Sequence, residues 1–275
     1  MYISIFSDEL GLDLVQAIPY FKQWGFEYVD LRGNLFGKAL DCMNKEEILE
    51  VKKVLDKNGL KTGCLESSIA KVHLPDDPDI IRDQQIKLDN ILMASDILDC
   101  RLVRCFHYWQ GRYTAGSPKL EGELLDRVIE LTLPLVERAN AGGLTVAFEN
   151  CGASIKEIRT VMDALGSLKT YLAWDPHNDW YREVKEYGSE LEYIKAQAGI
   201  SRVIHVKAQF ALPEGGPVLP WEILLSELKN AGYEGPVSVE THAHELKELT
   251  EELGVIEVNR RLAAFVFNLL DKIRG

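Results

Sequence analysis

Short apolar runs rich in β-branched residues alternate along the chain with longer segments of helical period. The runs predict eight strands, at Ile3–Phe6, Tyr28–Leu31, Lys61–Leu65, Leu102–Phe106, Thr145–Phe148, Tyr171–Trp174, Arg202–Val206 and Val237–Val239. The segments predict amphipathic helices, including Glu46–Lys57, Ile80–Leu98, Glu121–Ala139, Ile155–Leu165, Trp221–Asn230 and Ile256–Ile273. This alternation is typical of parallel strands joined by helices.

The repeat length favours one closed barrel. Seven repeats separate the first strand from the eighth at about 33 residues each, the size of one strand–helix unit. A doubly wound sheet would need a glycine-rich phosphate turn after its first strand, and Ser7–Gly11 is not one. We therefore predict an α/β fold, a (β/α)8 TIM barrel formed as a single domain by residues 1–275.

Composition narrows the class of protein. The chain has 275 residues and a formal net charge of −12, which opposes binding to nucleic acid. No basic leader or apolar run of membrane-spanning length is present, so a cytoplasmic protein with no membrane partner is expected. The five cysteines are scattered without a Cys-x-x-Cys pair, which indicates reduced thiols.

Candidate chemistry lies where the last four predicted strands end. In a TIM barrel the carboxyl ends of the strands form the active-site face. Those ends carry Glu149, Asp175, His205 and Glu240. Three carboxylates and an imidazole brought together would repel one another unless a cation neutralised them, so these four residues predict one divalent metal ion per chain. Mn²⁺, Mg²⁺, Co²⁺ and Zn²⁺ all suit such a ligand set.

Four sequence motifs carry a family resemblance. They are Glu149-Asn150, Asp175-Pro176-His177-Asn178, His205-Val206-Lys207, and the segment Gly232–Glu240 that leads through the eighth strand. With these motifs the chain resembles the xylose-isomerase-like barrels, which include sugar phosphate isomerases/epimerases, ketose 3-epimerases, inosose dehydratases and endonuclease IV. The resemblance spans nearly the whole chain. It implies that Glu149, Asp175, His205 and Glu240 are the metal ligands and that Glu149 and Glu240 also form the catalytic acid/base pair.

Three positions depart from the family pattern. Ala208 follows Lys207 where the family often has Asp, and Cys151 stands where His is frequent. His177 occupies a position that is often Gly in the family. These differences leave the predicted metal ligands intact and leave the substrate open.

The predicted substrate shell comes from residues near other strand ends. We expect Glu66, Arg104, His107, Trp109, His177 and Lys207 to bind substrate, with Asp30 and Arg32 beside them. The predicted activity is that of a metal-dependent isomerase or epimerase of a sugar, phosphorylated or not, or a related hydroxy-ketone, which acts through proton transfer and a metal-bound enediolate.

Other functions share these residues. A metal-dependent inosose or dehydroshikimate-type dehydratase would begin with the same proton abstraction. An endonuclease-IV-like phosphodiesterase would need further His and Asp ligands, and the segment after His205 has no Asp-x-His. A binding protein that kept the barrel and lost catalysis is a third alternative. Outer surfaces such as Glu183–Ala198 could face solvent or a second copy in a homo-oligomer.

Overall fold

Eight parallel strands close into a barrel in sequence order, β1 pairing with β2 and onward until β8 pairs with β1. The computed structural model describes residues 1–109, 119–178 and 180–274. The strands are β1 Tyr2–Phe6, β2 Tyr28–Leu31, β3 Lys61–Glu66, β4 Leu102–Cys105, β5 Thr145–Glu149, β6 Thr170–Trp174, β7 Ser201–Val206 and β8 Pro236–Val239. Each predicted strand end lies within one residue of the observed end. The predicted TIM barrel is confirmed.

Helices follow the strands along the described ranges. They are α1 Leu14–Gln23, α2 Lys45–Lys57, α3 Pro78–Leu98, α4 Glu123–Ala141, α5 Ile155–Leu165, α6 Trp180–Tyr187, α7 Glu190–Ala198, α8 Trp221–Asn230, α9 Lys247–Leu253 and α10 Val255–Arg274. The segment Glu183–Ala198 belongs to two helices, because Gly188 adopts a φ of 80° between them. None of the helices within these ranges combines the length and the apolar character that crossing a membrane requires.

Helix starts follow from short polar motifs. The side chain of Asn44 accepts a hydrogen bond from the Glu47 N–H, and Glu47 accepts one from the Asn44 N–H. Ser154 and Glu157 form the same reciprocal pair at the start of α5. Such capping boxes satisfy two backbone donors that a helix leaves unpaired. The second one begins α5 only a few residues after β5, which fixes the chain beside the carboxyl end of that strand.

The inside of the barrel is built in layers. A lower layer of small or apolar side chains, with one polar sector, consists of Ser4, Asp30, Cys64, Leu102, Ala147, Ala173, Val203 and Ser238. Strand side chains alternate between the two faces of a sheet, so the residues two positions further on point inward as well. That upper layer is Phe6, Arg32, Glu66, Arg104, Glu149, Asp175, His205 and Glu240. Seven of its eight members are polar or charged, and it lies at the mouth.

Candidate active site

Three of the four predicted metal ligands converge in the upper layer. Glu149, Asp175 and His205 are buried, and one potential ligand atom from each lies within 4.8 Å of the others. The fourth, Glu240, lies beside this group, with its Oε2 3.3 Å from Nδ1 of His205. The structure therefore brings all four side chains to one end of the barrel, although Glu240 has turned partly toward other partners.

Buried atoms without a hydrogen bond mark the same place. Within the described residues, Oε1 of Glu66 and Nε2 of His205 have no hydrogen-bond partner, and Nδ1 of His205 and Oε2 of Glu240 lie 3.3 Å apart without the geometry of a hydrogen bond. Leaving a buried polar atom unpaired costs about 1–3 kcal/mol, so such a concentration calls for a ligand. Carboxylate oxygens with one imidazole suit a divalent ion. The residues present thus fit a metal ion of this kind.

Asp175 is held from several directions. The Asn150 side chain donates from Nδ2 to the Asp175 carbonyl at 2.9 Å and accepts from the Asp175 N–H at 2.8 Å. The Asp175 carboxylate accepts the His177 N–H at its Oδ1 (2.9 Å) and the Lys207 ammonium at its Oδ2 (2.6 Å). The Asn150 side chain thus connects the end of β5 to the end of β6 and fixes how deep the Asp175 carboxylate lies in the mouth.

The inner triad, Glu66, Arg104 and Glu149, forms one wall of the site. Arg104 donates from Nε to Oε2 of Glu66 at 2.6 Å, and its Nη1 lies 3.3 Å from Oε2 of Glu149. All three side chains are at most 5% exposed. Burial raises the pKa of Glu66, but Arg104 and His205 outweigh that effect and lower the pKa to about 2.

The outer cluster, Asp8, Glu9, Arg32 and Glu240, forms the opposite wall. Arg32 donates from Nε to both oxygens of Asp8, from Nη2 to Glu9 at 2.9 Å and from Nη1 to Oε1 of Glu240 at 2.5 Å. Its guanidinium stacks over Phe6, and its side chain is 28% exposed. A Cβ at Gly33 would lie 2.7 Å from Asp8, so the close approach of Asp8 to Arg32 depends on that glycine.

Lys207 lies between the two walls. Its Nζ is 2.6 Å from Oδ2 of Asp175 and 3.6 Å from Oε2 of Glu240. Burial lowers the pKa of Lys207, but the charges of Asp175, Glu240 and Glu149 outweigh burial and raise the pKa above its ordinary value. Burial likewise raises the pKa of Glu240, while Lys207 and His205 lower it well below its usual range. Both groups are therefore charged at neutral pH.

His177 stands at the rim of the mouth. Its Nε2 contacts Oε1 of Gln209 at 2.5 Å and lies 3.2 Å from Oε2 of Glu245, and its ring packs on Phe210. His177 follows β6, Gln209 follows β7 and Glu245 follows β8, so the histidine connects three loops around the opening. Its role in binding substrate stays a prediction.

Three other residues of the predicted substrate shell have no hydrogen bond or ion pair with the four predicted metal ligands in the described ranges. His107 packs against Phe148, and burial alone lowers its pKa to about 4, with no contribution from the charges of the site. The indole of Trp109 donates to Glu157 in the first turn of α5. Asp30 is fully buried in the lower layer and accepts a hydrogen bond from Ser4. Their predicted contact with substrate therefore has no support in this geometry.

Sequence reasoning missed Asp8, Glu9 and His242. The two acids follow β1, and His242 lies two residues beyond Glu240, with Nε2 3.2 Å from Oε1 of Glu240. The backbone N–H of His242 also donates to Glu9 at 2.9 Å. The strand-end rule used for the last four strands would have found Asp8 and Glu9 if it had been applied to the first.

Comparison with models of known protein families shows the family of this chain. The model of the family described as xylose isomerase-like TIM barrel matches residues 18–262. The chain therefore belongs to the xylose isomerase-like TIM barrel family. A search of curated protein sequences finds no match.

Solved structures with the same fold include named sugar epimerases. The D-psicose 3-epimerase from Clostridium cellulolyticum H10, solved with D-tagatose, has a TM-score of 0.72 and 17% identity, with 98% of this chain and 99% of that chain covered. An L-ribulose 3-epimerase has a TM-score of 0.74 and 15% identity, covering 99% of this chain and 95% of that one. The IOLI protein with a bound zinc atom has a TM-score of 0.71 and 15% identity over 99% of each chain. At these identities the likeness shows the shared fold.

Proposed function

We propose that this protein is a divalent-metal-dependent isomerase or epimerase of a ketose or related hydroxy-ketone. The observation that carries the proposal is the placement of two glutamates, Glu149 and Glu240, on opposite walls of one group of candidate metal ligands. The family and the named 3-epimerases of the same fold support the same chemistry.

Four residues would hold the metal ion: Glu149, Asp175, His205 and Glu240. When bound, such an ion supplies positive charge that makes a C–H bond next to the substrate carbonyl more acidic. Asn150 fixes the position of Asp175, and Arg104 and Arg32 fix the two glutamates. The protein's own contribution is thus a preorganised set of carboxylates.

Proton transfer is assigned to Glu149 and Glu240. One carboxylate takes the proton from the carbon beside the carbonyl, and the C–H electrons form the C=C bond of an enediolate while the carbonyl oxygen gains the negative charge. Because Glu240 is ionised at neutral pH, it is the glutamate that takes the proton, and Glu149 returns a proton to the opposite face of the same carbon, which inverts its configuration. Strands β5 and β8 are three apart around the barrel, so their glutamates approach the substrate from different sides.

The charge balance at the mouth favours an unphosphorylated sugar. Among the described residues of the inner triad, the outer cluster, Asp175 and Lys207, six carboxylates face three cations. With all six carboxylates ionised, a divalent ion would leave this set with one negative charge, which repels a phosphate group; burial raises the pKa of Glu9 and reduces this excess without leaving a net positive charge. A neutral ketose meets no such repulsion and can bind through its hydroxyl groups.

Deuterium exchange tests the function. Manganese-loaded protein incubated with neutral ketoses in D₂O should place solvent deuterium at the carbon that changes configuration, because the transferred proton exchanges with solvent. E149Q and E240Q should each lower the rate at least about 100-fold, the scale of general acid–base catalysis. E186Q, an exposed glutamate on α6, is the matched control and should leave the rate unchanged.

The products separate this activity from its alternatives. A 3-epimer or aldose carrying solvent deuterium supports the proposal. Loss of water from the substrate would indicate a dehydratase instead. Turnover without deuterium in the product would exclude proton exchange through these glutamates.

A further inference from the structure

Lys207 is a buried cation in contact with the predicted metal ligands. It is the first residue after β7, and its side chain is 5% exposed. Its Nζ lies 2.6 Å from Oδ2 of Asp175 and 3.6 Å from Oε2 of Glu240. One ammonium group thus bridges two of the four predicted ligands.

The other two cations of the mouth are anchored differently. Arg104 is fixed by Glu66, and Arg32 is fixed by Asp8 and Glu9, all of which lie outside the ligand set. Within the described part of the chain, by contrast, both carboxylates paired with Lys207 belong to the ligand set. A metal ion that takes up those carboxylates would remove the only ion pairs that Lys207 has in these ranges.

Asp175 already has a partner on each of its two oxygens. Its Oδ1 already accepts the His177 N–H at 2.9 Å, and its Oδ2 accepts the Lys207 ammonium. Two positive charges on one buried carboxylate repel each other strongly at low dielectric. The long, flexible stem of a lysine lets its ammonium move away without a change of backbone.

We propose that Lys207 is a built-in competitor of the metal ion: its ammonium neutralises Asp175 and Glu240 in the metal-free protein, and metal binding displaces it. The inference rests on the metal site of the proposed function and not on the reaction. It means that the site gives up part of its metal affinity in exchange for a stable metal-free state. Metal affinity is then set by a residue that is not itself a ligand.

Calorimetric titration with Mn²⁺ tests the competition on the full chain after removal of metal. The variants are K207M, which keeps the length of the side chain without its charge, and K207Q, a second neutral variant in case the first folds poorly. We expect Mn²⁺ to bind each at least tenfold more tightly than it binds the wild-type protein. Metal-free K207M should melt at a lower temperature than the wild type and recover when Mn²⁺ is added.

The matched control is K71M. Lys71 lies over the Phe106 ring, and its charge reaches Cys151 beside Glu149, yet it has no ion pair with a predicted ligand in the described ranges. Its removal should change the Mn²⁺ dissociation constant less than twofold. If Mn²⁺ bound equally more tightly to K71M and K207M, the cause would be the general change in protein charge. That result would overturn direct competition by Lys207.

The remaining outcomes are also decisive. Unchanged or weaker Mn²⁺ binding in both neutral variants would show that Lys207 supports the ligands, which contradicts the proposal. Because dissociation constants are measured without substrate, the predicted tightening together with an absence of deuterium exchange would reject the proposed reaction alone. If neither wild type nor variants bind Mn²⁺, the competition and the metal-dependent function both fail.

Discussion

The inner triad and the outer cluster place the same chemistry in two different environments. In each, an arginine joins an anchoring carboxylate to one of the two glutamates assigned to proton transfer. The inner arginine, Arg104, is 3% exposed, whereas the outer one, Arg32, is 28% exposed. The two arginines therefore differ in how far solvent reaches them, although the glutamates paired with them are all at most 5% exposed.

The two glutamates differ in their number of cationic neighbours. Glu149 has one ion pair in the described ranges, with Arg104 at 3.3 Å. Glu240 lies within 3.6 Å of Arg32, Lys207, His205 and His242. The inner triad thus provides a dry, fixed wall, while Glu240 takes part in a network whose members can be exchanged.

Removal of the inner arginine should have the largest effect on stability. R104M leaves Glu66 and Glu149 as buried carboxylates without their cation, and breaking a buried pair in this way costs about 3–5 kcal/mol. Urea unfolding of metal-free protein measures the loss. R104K restores a charge without the two-pronged contact and should recover only part of it. A loss below 1 kcal/mol would contradict the view that the inner triad stabilises the fold as a buried set of ion pairs.

The pH dependence of stability should single out Glu66. Its folded pKa of about 2 lies below its ordinary value of 4.5, so its contribution is complete above pH 4.5 and is lost as the pH falls toward 2. At neutral pH the shift corresponds to about 3 kcal/mol. We expect the difference in unfolding free energy between wild type and E66Q to shrink by about 2 kcal/mol from pH 6 to pH 3. A difference independent of pH would contradict the assigned pKa.

The outer arginine should matter less for folding than for activity. R32M should cost about 2 kcal/mol in unfolding free energy, less than R104M, because water reaches Asp8 while Glu9 and Glu240, each 4% exposed, lose a cation. Loss of the group that orients Glu240 should lower kcat about 10- to 100-fold, as is usual for residues that hold metal ligands. R32K tests whether a positive charge without the guanidinium geometry is enough to orient Glu240. An R32M variant as unstable as R104M would remove the distinction between the two walls.

The smallest effect is expected at Asp8, which anchors Arg32 at the more exposed end. D8N keeps the shape of the side chain and leaves the contacts of Arg32 with Glu9 and Glu240 in place. We predict a loss of at most about 0.5 kcal/mol in stability, because the side chain is 20% exposed. The expected decrease in kcat is below about fivefold, small against the loss in R32M. A decrease as large as that of R32M would show that Asp8 itself positions the glutamate.

Strand-end positions were predictable because the register of a closed barrel fixes them. Glu149, Asp175, His205 and Glu240 come directly at or after an apolar strand, and parallel strands bring such positions to one end. His107 lies against Phe148 because it follows Arg104 by three residues, and a period of two puts an odd offset on the outer face; its contact with substrate stays a prediction. The partners of Arg32 depend on the loop after β1, whose path the periodicity does not determine.

We propose that Glu149, Asp175, His205 and Glu240 bind one divalent metal ion between the two arginine-held walls. Elemental analysis tests it most directly, on wild-type protein and on D175N and E240Q after saturation with Mn²⁺, Co²⁺ or Zn²⁺ and removal of the excess. We expect close to one ion per wild-type chain and clearly less in both variants, with E186Q equal to wild type. No bound ion in the wild type, or one ion retained in full by both variants, would contradict it.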